Sequence, residues 1–454
     1  MYKLSKYLVF TDIINPDENS SGHKRLLYST RNGSSLAVSN EIYNNLTSNR
    51  QDLIESGYRQ QLIDMQILVP IEEDEFELII NQNNANNINT LGLVLHTTAN
   101  CQFGCGYCGQ QHTKKNIDET VVKRVLTYVE KKLQTGEFLH MFIVWHGSEA
   151  LMSFDDLRKM SKQLIEIANR YKVSYHAKII TNGLSLKPTV FKELYFDMLV
   201  TNYQITIDGS KEFHDNRRML KDGGPTFDII MNNIITITNQ PWYPDGHKAI
   251  AIRVNIDKTN SGGIFGLIDL LESQGLQKKI SIDYRPVENY AENKFKDNHG
   301  LTKEQYAEFE IELLLYSLEK GFSIPDIVPE RQYDACMAVV KDFVVLDIYG
   351  NVFPCYNFPY TNHKLESANK IGNLAFDEST FNQDGPLRNW YQEIAATKNA
   401  CYHCNLLPVC GGYCPLKWQE GEIACPSYKY NIEDRLVLNY LYGKVDVREE
   451  LLKN

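Results

Sequence analysis

At 454 residues the chain has room for two or three domains, each able to bury a core. With 43% hydrophobic and 23% charged residues the composition is ordinary, and a net charge of −10 excludes a phosphate-tracking surface, so no nucleic-acid partner is expected. No apolar stretch reaches the roughly 18–20 residues that span a bilayer, and Met1–Asp12 lacks the features of a signal peptide, so no membrane partner is expected and the expected location is cytoplasmic. Thiols stay reduced there, and ten cysteines point to metal or redox chemistry instead of disulfides.

The first 80 residues read as a small module. Strand-like runs at Tyr7–Ile14, Leu26–Ser29 and Ser35–Val38 come first, the last two flanking Asn32-Gly33, a type I′ hairpin signal. Helical segments at about 40–64 follow, then a wing at Ile67–Val69 and Phe76–Ile80. Strands and helices in this order resemble a winged-helix module; a packing extension of the next domain is the alternative. The Asn-rich stretch 81–89 marks the boundary, giving a linker over 81–90.

From 91 to 324 strands alternate with amphipathic helices. Candidate strands are Leu91–His96, Met141–Trp145, Ala177–Thr181, Tyr203–Ile207, Ala249–Asn255 and Ile280–Arg285, with helices such as Asp118–Leu133 and Phe154–Arg170 between them. Crossovers of this length mean parallel βαβ units, an α/β class. The first strand runs into Cys101, Cys105 and Cys108, spaced Cys-x3-Cys-x2-Cys. A structural zinc site wants a fourth ligand, and the next cysteine is Cys336. An iron–sulfur cubane with one iron left open suits three thiolates better.

This spacing, with Tyr107 before the last cysteine, resembles the signature of the radical S-adenosylmethionine (SAM) superfamily. The resemblance implies a partial (β/α)6 barrel, whose site lies at the carboxyl ends of its strands. Each strand end then has an implied partner. His146-Gly147-Ser148-Glu149-Ala150 stands where the family has Gly-Gly-Glu-Pro, so Glu149 would accept the ammonium of SAM, with Gly147 allowing close backbone approach and Ser148 beside it. A solvated loop glutamate is the alternative. Asn182, in Thr181-Asn182-Gly183, is the third strand-end candidate, or an ordinary turn. Thr206, Asp208 and Arg218, in Gln204–Gly209 and His214–Arg218, resemble the family's Ser-Leu-Asp-Gly and His-Asp-x-x-Arg segments. By that likeness Thr206 touches ribose or carboxylate and Arg218 takes the carboxylate. Asp208 would accept from sugar hydroxyls or simply cap its strand. Arg253 and Asn255 end the fifth strand with no role assigned.

Residues 325–454 hold the other seven cysteines and a closing helix. Cys336, Gly350, Cys355, Cys401, Cys404, Cys410, Cys414 and Cys425 reproduce the spacing of the SPASM domain that follows the barrel in peptide-modifying members. That likeness implies two auxiliary four-iron clusters, an outer one on Cys401, Cys404, Cys410 and Cys425 and an inner one on Cys336, Cys355 and Cys414, the inner lacking a fourth cysteine. Two zinc sites are the alternative. In all, three [4Fe-4S] clusters and SAM are expected.

The expected function is maturation of a ribosomally made precursor peptide: a 5′-deoxyadenosyl radical removes a substrate hydrogen, leading to a thioether, carbon–carbon or carbon–oxygen crosslink. The N-terminal module would grip a leader segment by strand addition, and a cellular electron donor is implied. The alternative within the class is an anaerobic sulfatase maturase making formylglycine. Those enzymes commonly place an aspartate after the second tail cysteine, where this chain has Tyr356. Outside the class stands a non-catalytic iron–sulfur or zinc protein that carries electrons or binds peptides.

Overall fold

A computed structural model describes residues 1–14, 24–85, 89–244, 246–288 and 299–442. Its centre is a nine-stranded sheet. Six parallel strands, β6 (Thr90–His96), β7 (His140–His146), β8 (Ser174–Thr181), β9 (Val200–Thr206), β10 (Ile250–Ile256) and β11 (Ile280–Pro286), lie side by side in chain order. Helices α4 (Glu119–Gln134), α5 (Phe154–Tyr171), α6 (Pro188–Phe196), α7 (Lys211–Arg217), α8 (Phe227–Thr238) and α9 (Ile264–Ser273) fill the crossovers, and α10 (Lys303–Glu319) follows β11. This is the α/β arrangement expected from the alternation of strands and helices.

Alternation along each strand sorts its side chains. Leu91, Leu93 and Leu95 of β6, with Ile143 and Trp145 of β7, enter the main core beneath the helices. Their neighbours Val94 and Val144 face the other way and pack on Val345, Phe353 and the inner tail cysteines. Both faces are therefore covered, which is why these strands read as continuous apolar runs. Asp118 starts α4 by accepting from the Val121 N–H at 2.9 Å.

The boundary drawn at residue 324 does not interrupt the sheet. Strand β12 (Phe343–Leu346) of the cysteine-rich tail pairs in parallel with β6, then β13 (Asn351–Phe353) and β14 (Gly372–Asn373) add antiparallel. A Cβ at Gly92 would lie 2.1 Å from the Phe343 ring, so the missing side chain is what admits β12. Short helices α11 (Glu366–Asn369), α12 (Trp390–Thr397), α13 (Leu407–Cys410) and α14 (Pro415–Gln419) precede the closing helix α15 (Tyr428–Leu441). No helix among the described residues is long and apolar enough to cross a membrane.

The N-terminal region differs from its sequence reading in three places. Strands β2 (Leu8–Phe10), β3 (Lys24–Ser29) and β4 (Ser34–Ser39) form an antiparallel sheet, but the β3–β4 turn spans residues 30–33. Gly33 alone in that turn takes a positive φ (+76°), so it is not the two-residue type I′ turn. Helices α1 (Asn40–Thr47) and α2 (Ser56–Asp64) follow, and β5 (Leu68–Pro70) pairs with a strand the sequence did not signal, β1 (Tyr2–Leu4).

The expected wing strand Phe76–Ile80 is instead part of α3 (Glu75–Asn84). Asp74 accepts from the N–H groups of Phe76 and Glu77, both at 3.1 Å, and Phe76, Ile79 and Ile80 fall on one helical face. The helix also absorbs Asn81–Asn84, the first part of the expected linker; residues 86–88 lie outside the described ones. This region packs on the tail: Tyr7, Phe76 and Ile80 meet Trp390, Ile394 and Cys401 in one apolar cluster. Asn405 Nδ2 donates to the Leu8 carbonyl at 2.9 Å.

Candidate active site

The three-cysteine loop leaves β6 and is clamped by the chain after α7. Gly104 N–H donates to the Met219 carbonyl at 2.9 Å, and Gly106 N–H to that of Arg217 at 3.2 Å. All three thiols are free of disulfides, and each lies within electrostatic reach of the others. Burial, opposed by the Phe103 N–H, pushes the Cys101 thiol up to about 12, and burial also raises Cys105. Such thiols stay protonated until a cation takes the proton's place. Among the described residues no three Cys, His, Asp or Glu side chains converge on a single ion.

Beside this loop lie two oppositely charged groups, neither with an ionic partner in direct contact. Glu149, fully buried, accepts from Thr181 Oγ1 at 2.6 Å, from the Asn182 N–H at 2.7 Å and from the Leu151 N–H at 3.1 Å. These donors are neutral and leave part of the carboxylate's accepting capacity open. Desolvation raises its pKa against those bonds. Arg218, also buried, donates from Nη1 to the Tyr107 hydroxyl at 2.5 Å, while its Nε has no partner. Its charge reaches both Glu149 and Cys105.

Tyr107 donates to Asp208 Oδ2 at 2.6 Å, and Asp208 Oδ1 accepts from the Asn255 N–H at 3.0 Å. Asn255 Nδ2 donates to the Tyr107 hydroxyl at 3.3 Å. The neighbouring Arg217 is the ion-paired one, with both Asp257 oxygens 2.7 Å from its Nη1. Asn182 brings Nδ2 to 4.0 Å from Cys101 Sγ, and Thr206 ends β9 opposite Arg253 of β10. The structure thus gathers Tyr107, Glu149, Asn182, Asp208 and Arg218 around the loop.

Two expected positions have other neighbours. The close approach that Gly147 permits (φ +92°) is to His96, whose ring would lie 2.3 Å from an added Cβ. Ser148 sits at φ +51° with its hydroxyl buried and unpartnered. His96 and His146, to which the sequence assigned no role, share a hydrogen bond of 3.3 Å at the ends of paired strands. Burial holds His96 well below its ordinary range and His146 at about 4, so both stay neutral. Their sequence signal was a histidine at or just after the end of each apolar run. The Tyr356 ring stands 5.6 Å from His146.

The tail thiols separate into two sets. Cys336, Cys355 and Cys414 share an apolar cluster with Val94 and Val144, at the barrel's inner face. Cys401, Cys404, Cys410 and Cys425 line one small apolar cavity beyond it. Burial raises Cys336 to about 12 and Cys410 to about 12. Two sets of thiols outside disulfides, one of four and one of three, fit iron–sulfur ligation by donor type and number.

Comparison with known proteins bears on this arrangement. No protein-family model matches the chain. It is similar to a serine-type anaerobic sulfatase-maturating enzyme of Bacteroides thetaiotaomicron, 26% identical over 145 residues, or 30% of this chain and 33% of that one. The match thus spans a third of that relative's length. A cysteine-type anaerobic sulfatase-maturating enzyme of Clostridium novyi is 23% identical over 358 residues, covering 71% of this chain and 87% of that one. Among solved structures, anSMEcpe with bound AdoMet and Cp18Cys peptide has a TM-score of 0.60 at 14% identity, covering 79% and 99% of the two chains. The chain thus resembles the sulfatase-maturating enzymes in sequence and shares the fold of anSMEcpe. Streptococcus suis SuiB bound to precursor peptide SuiA shares the maturase fold with a TM-score of 0.52 at 15% identity, covering 92% and 97%.

Proposed function

We propose that this enzyme binds SAM on the Cys101–Cys105–Cys108 cluster and installs a thioether, carbon–carbon or carbon–oxygen crosslink in a ribosomally made precursor peptide. The observation that carries it is the separated charge pair beside the cysteine loop. A buried carboxylate hydrogen-bonded only to neutral donors and a buried guanidinium with an orphan Nε complement the ammonium and carboxylate of an amino acid. Glu149 holds the ammonium, Arg218 the carboxylate, and Thr206, Asp208 and Asn182 with Tyr107 complete the pocket, Gly147 and Ser148 forming its turn. Cys101, Cys105 and Cys108 would hold the cubane cluster, which would supply one electron for reductive cleavage of SAM. The chain's own part is to fix SAM by both charged ends and to cover the site with the tail against water.

In the tail, Cys401, Cys404, Cys410 and Cys425 hold one auxiliary cluster, and Cys336, Cys355 and Cys414 another. A cellular electron donor feeds the system. Residues 1–80 serve as the leader-binding module, and the tail begins near 325.

Formylglycine formation is the second reading, favoured by the two curated relatives. Tyr356 weighs against it. Tyr356 is 48% exposed, and a phenol titrates near 10. It stays protonated at neutral pH and is a poor acceptor where those enzymes commonly have an aspartate.

Anaerobic reconstitution tests the proposal. Three four-iron clusters mean about twelve irons per chain. Deoxyadenosine should form from SAM under a strong reductant and vanish in Cys105→Ala. Zinc uptake, or iron without SAM cleavage, would leave a binding protein.

A further inference from the structure

A cavity of about 1100 Å³ opens between the inner faces of β8–β11 and the tail. Its floor is positively charged. Arg253 and Arg285 both reach Asp283, at 3.1 and 2.8 Å, so two guanidinium groups share one carboxylate. Lys178 makes no ion pair; its ammonium donates to Gln204 Oε1 at 3.0 Å. Among the described residues Lys178 and Arg285 line this stretch of wall with Asp283, and Arg253 stands beside them on the same carboxylate.

The surrounding groups do not balance them. His146, which senses Lys178, is neutral, and the Tyr356 ring beside it brings no carboxylate. Glu310 of α10 is taken by Arg435 of the closing helix at 2.6 Å. The rest of the lining carries both signs, Lys258, Lys303 and Lys417 against Glu288, Asp326, Glu330 and Glu422. Where Lys178 and Arg285 meet Asp283, cations outnumber carboxylates. Nor does the trio serve the Cys336 thiol, whose cationic neighbour is Arg388 of the tail. Burial lowers the Lys178 pKa first, with Asp283 opposing it and Arg253 and Arg285 adding to it, so the one carboxylate within reach is shared with two guanidinium groups. A cavity wall in which cations outnumber the carboxylate they share suits a group of opposite sign.

We propose that this floor is a carboxylate subsite, in which Lys178, with Arg253 and Arg285 beside it, receives an acidic group of the peptide substrate. The inference rests on the peptide-modifying reading above. The carboxylate comes from an Asp or Glu side chain near the modified residue, or from the peptide's C-terminus, and both present the same chemistry to the wall.

The test uses the full-length reconstituted enzyme with SAM and three synthetic peptides, followed by titration calorimetry. They are acetyl-Ser-Ala-Glu-Ala-Ser-amide, its Gln counterpart as the amide, and the Gln counterpart with a free carboxyl terminus. A charge-assisted contact should favour a carboxylate-bearing peptide by about tenfold over the neutral one. Preference for the first or third probe assigns the side-chain or terminal source. Lys178→Gln should cut that preference to about threefold or less while leaving the Kd for SAM unchanged, and Arg285→Gln should weaken it in the same sense. Equal binding of all three peptides by wild type, or binding of none, overturns the subsite. So does a Lys178→Gln enzyme that loses SAM affinity and keeps its peptide preference, since the cation would then serve the cofactor. Because binding is read without turnover, a clear carboxylate preference in an enzyme that makes no deoxyadenosine would sustain the subsite and sink the radical reading.

Discussion

Single side chains around the cysteine loop are fixed by hydrogen bonds that also fix their protonation. The His214 Nδ1 accepts from the Asp208 N–H at 3.2 Å, which leaves the ring proton on Nε2, 3.1 Å from Thr226 Oγ1. Thr226 in turn donates to the Arg218 carbonyl at 2.6 Å. One neutral imidazole thus ties together the two motif segments that carry Asp208 and Arg218. Since Arg218 has no direct ionic partner, Arg218→Gln should weaken SAM binding at least about tenfold with little change in melting temperature, readable by equilibrium dialysis. Ser148 occupies a left-handed conformation that suits glycine, and its buried hydroxyl gains nothing there. Ser148→Gly should therefore stabilise the fold by about 1 kcal/mol in urea titration. At this scale, residues with a distinctive chemistry and spacing were legible, among them the ten cysteines, Glu149 and Arg218. Lys178 and His96 were not, because strands buried on both faces hide in the sequence which side chains point inward.

Among the elements, the joint between β6 and β12 holds the tail to the barrel. It depends on Gly92, over which the Phe343 ring lies. Gly92→Val should cost about 2 kcal/mol by overpacking. Iron content should fall more in the tail, whose inner thiols share the apolar cluster with Val345 and Phe353, than on the Cys101 loop. The six parallel strands were readable from apolar runs at βα intervals. Strand β12 was not placed, since its partner lies far away in sequence and nothing local names it. The Phe76–Ile80 segment was misread because five apolar-rich residues suit a strand or a helix equally. The Asp74 cap was the signal that could have decided it.

For the whole molecule, burial of imidazoles sets a pH dependence. His96, His146 and His214 are all held below their ordinary value, His146 at about 4 and His214 at about 2, first by desolvation. In the unfolded chain they take up protons near pH 6.5. The unfolded state then binds more protons than the folded one, so stability is fully present above about pH 6.5 and falls as pH drops toward 4. Urea midpoints should decline steadily from pH 7 to pH 5, and His146→Gln should flatten the slope. A flat wild-type profile would mean that these rings ionise in place.

The sheet's sixth parallel pairing, β6 with β12, also constrains how the protein is made. Translation delivers β6 with one edge bare, and its partner at Phe343–Leu346 leaves the ribosome about 250 residues later. Throughout that interval an apolar strand edge, the one leading directly to Cys101, is open to stray pairing. Slow synthesis or premature termination before residue 343 should therefore yield aggregates instead of a soluble barrel, and expression yield should depend on chaperone supply more than melting temperature would suggest.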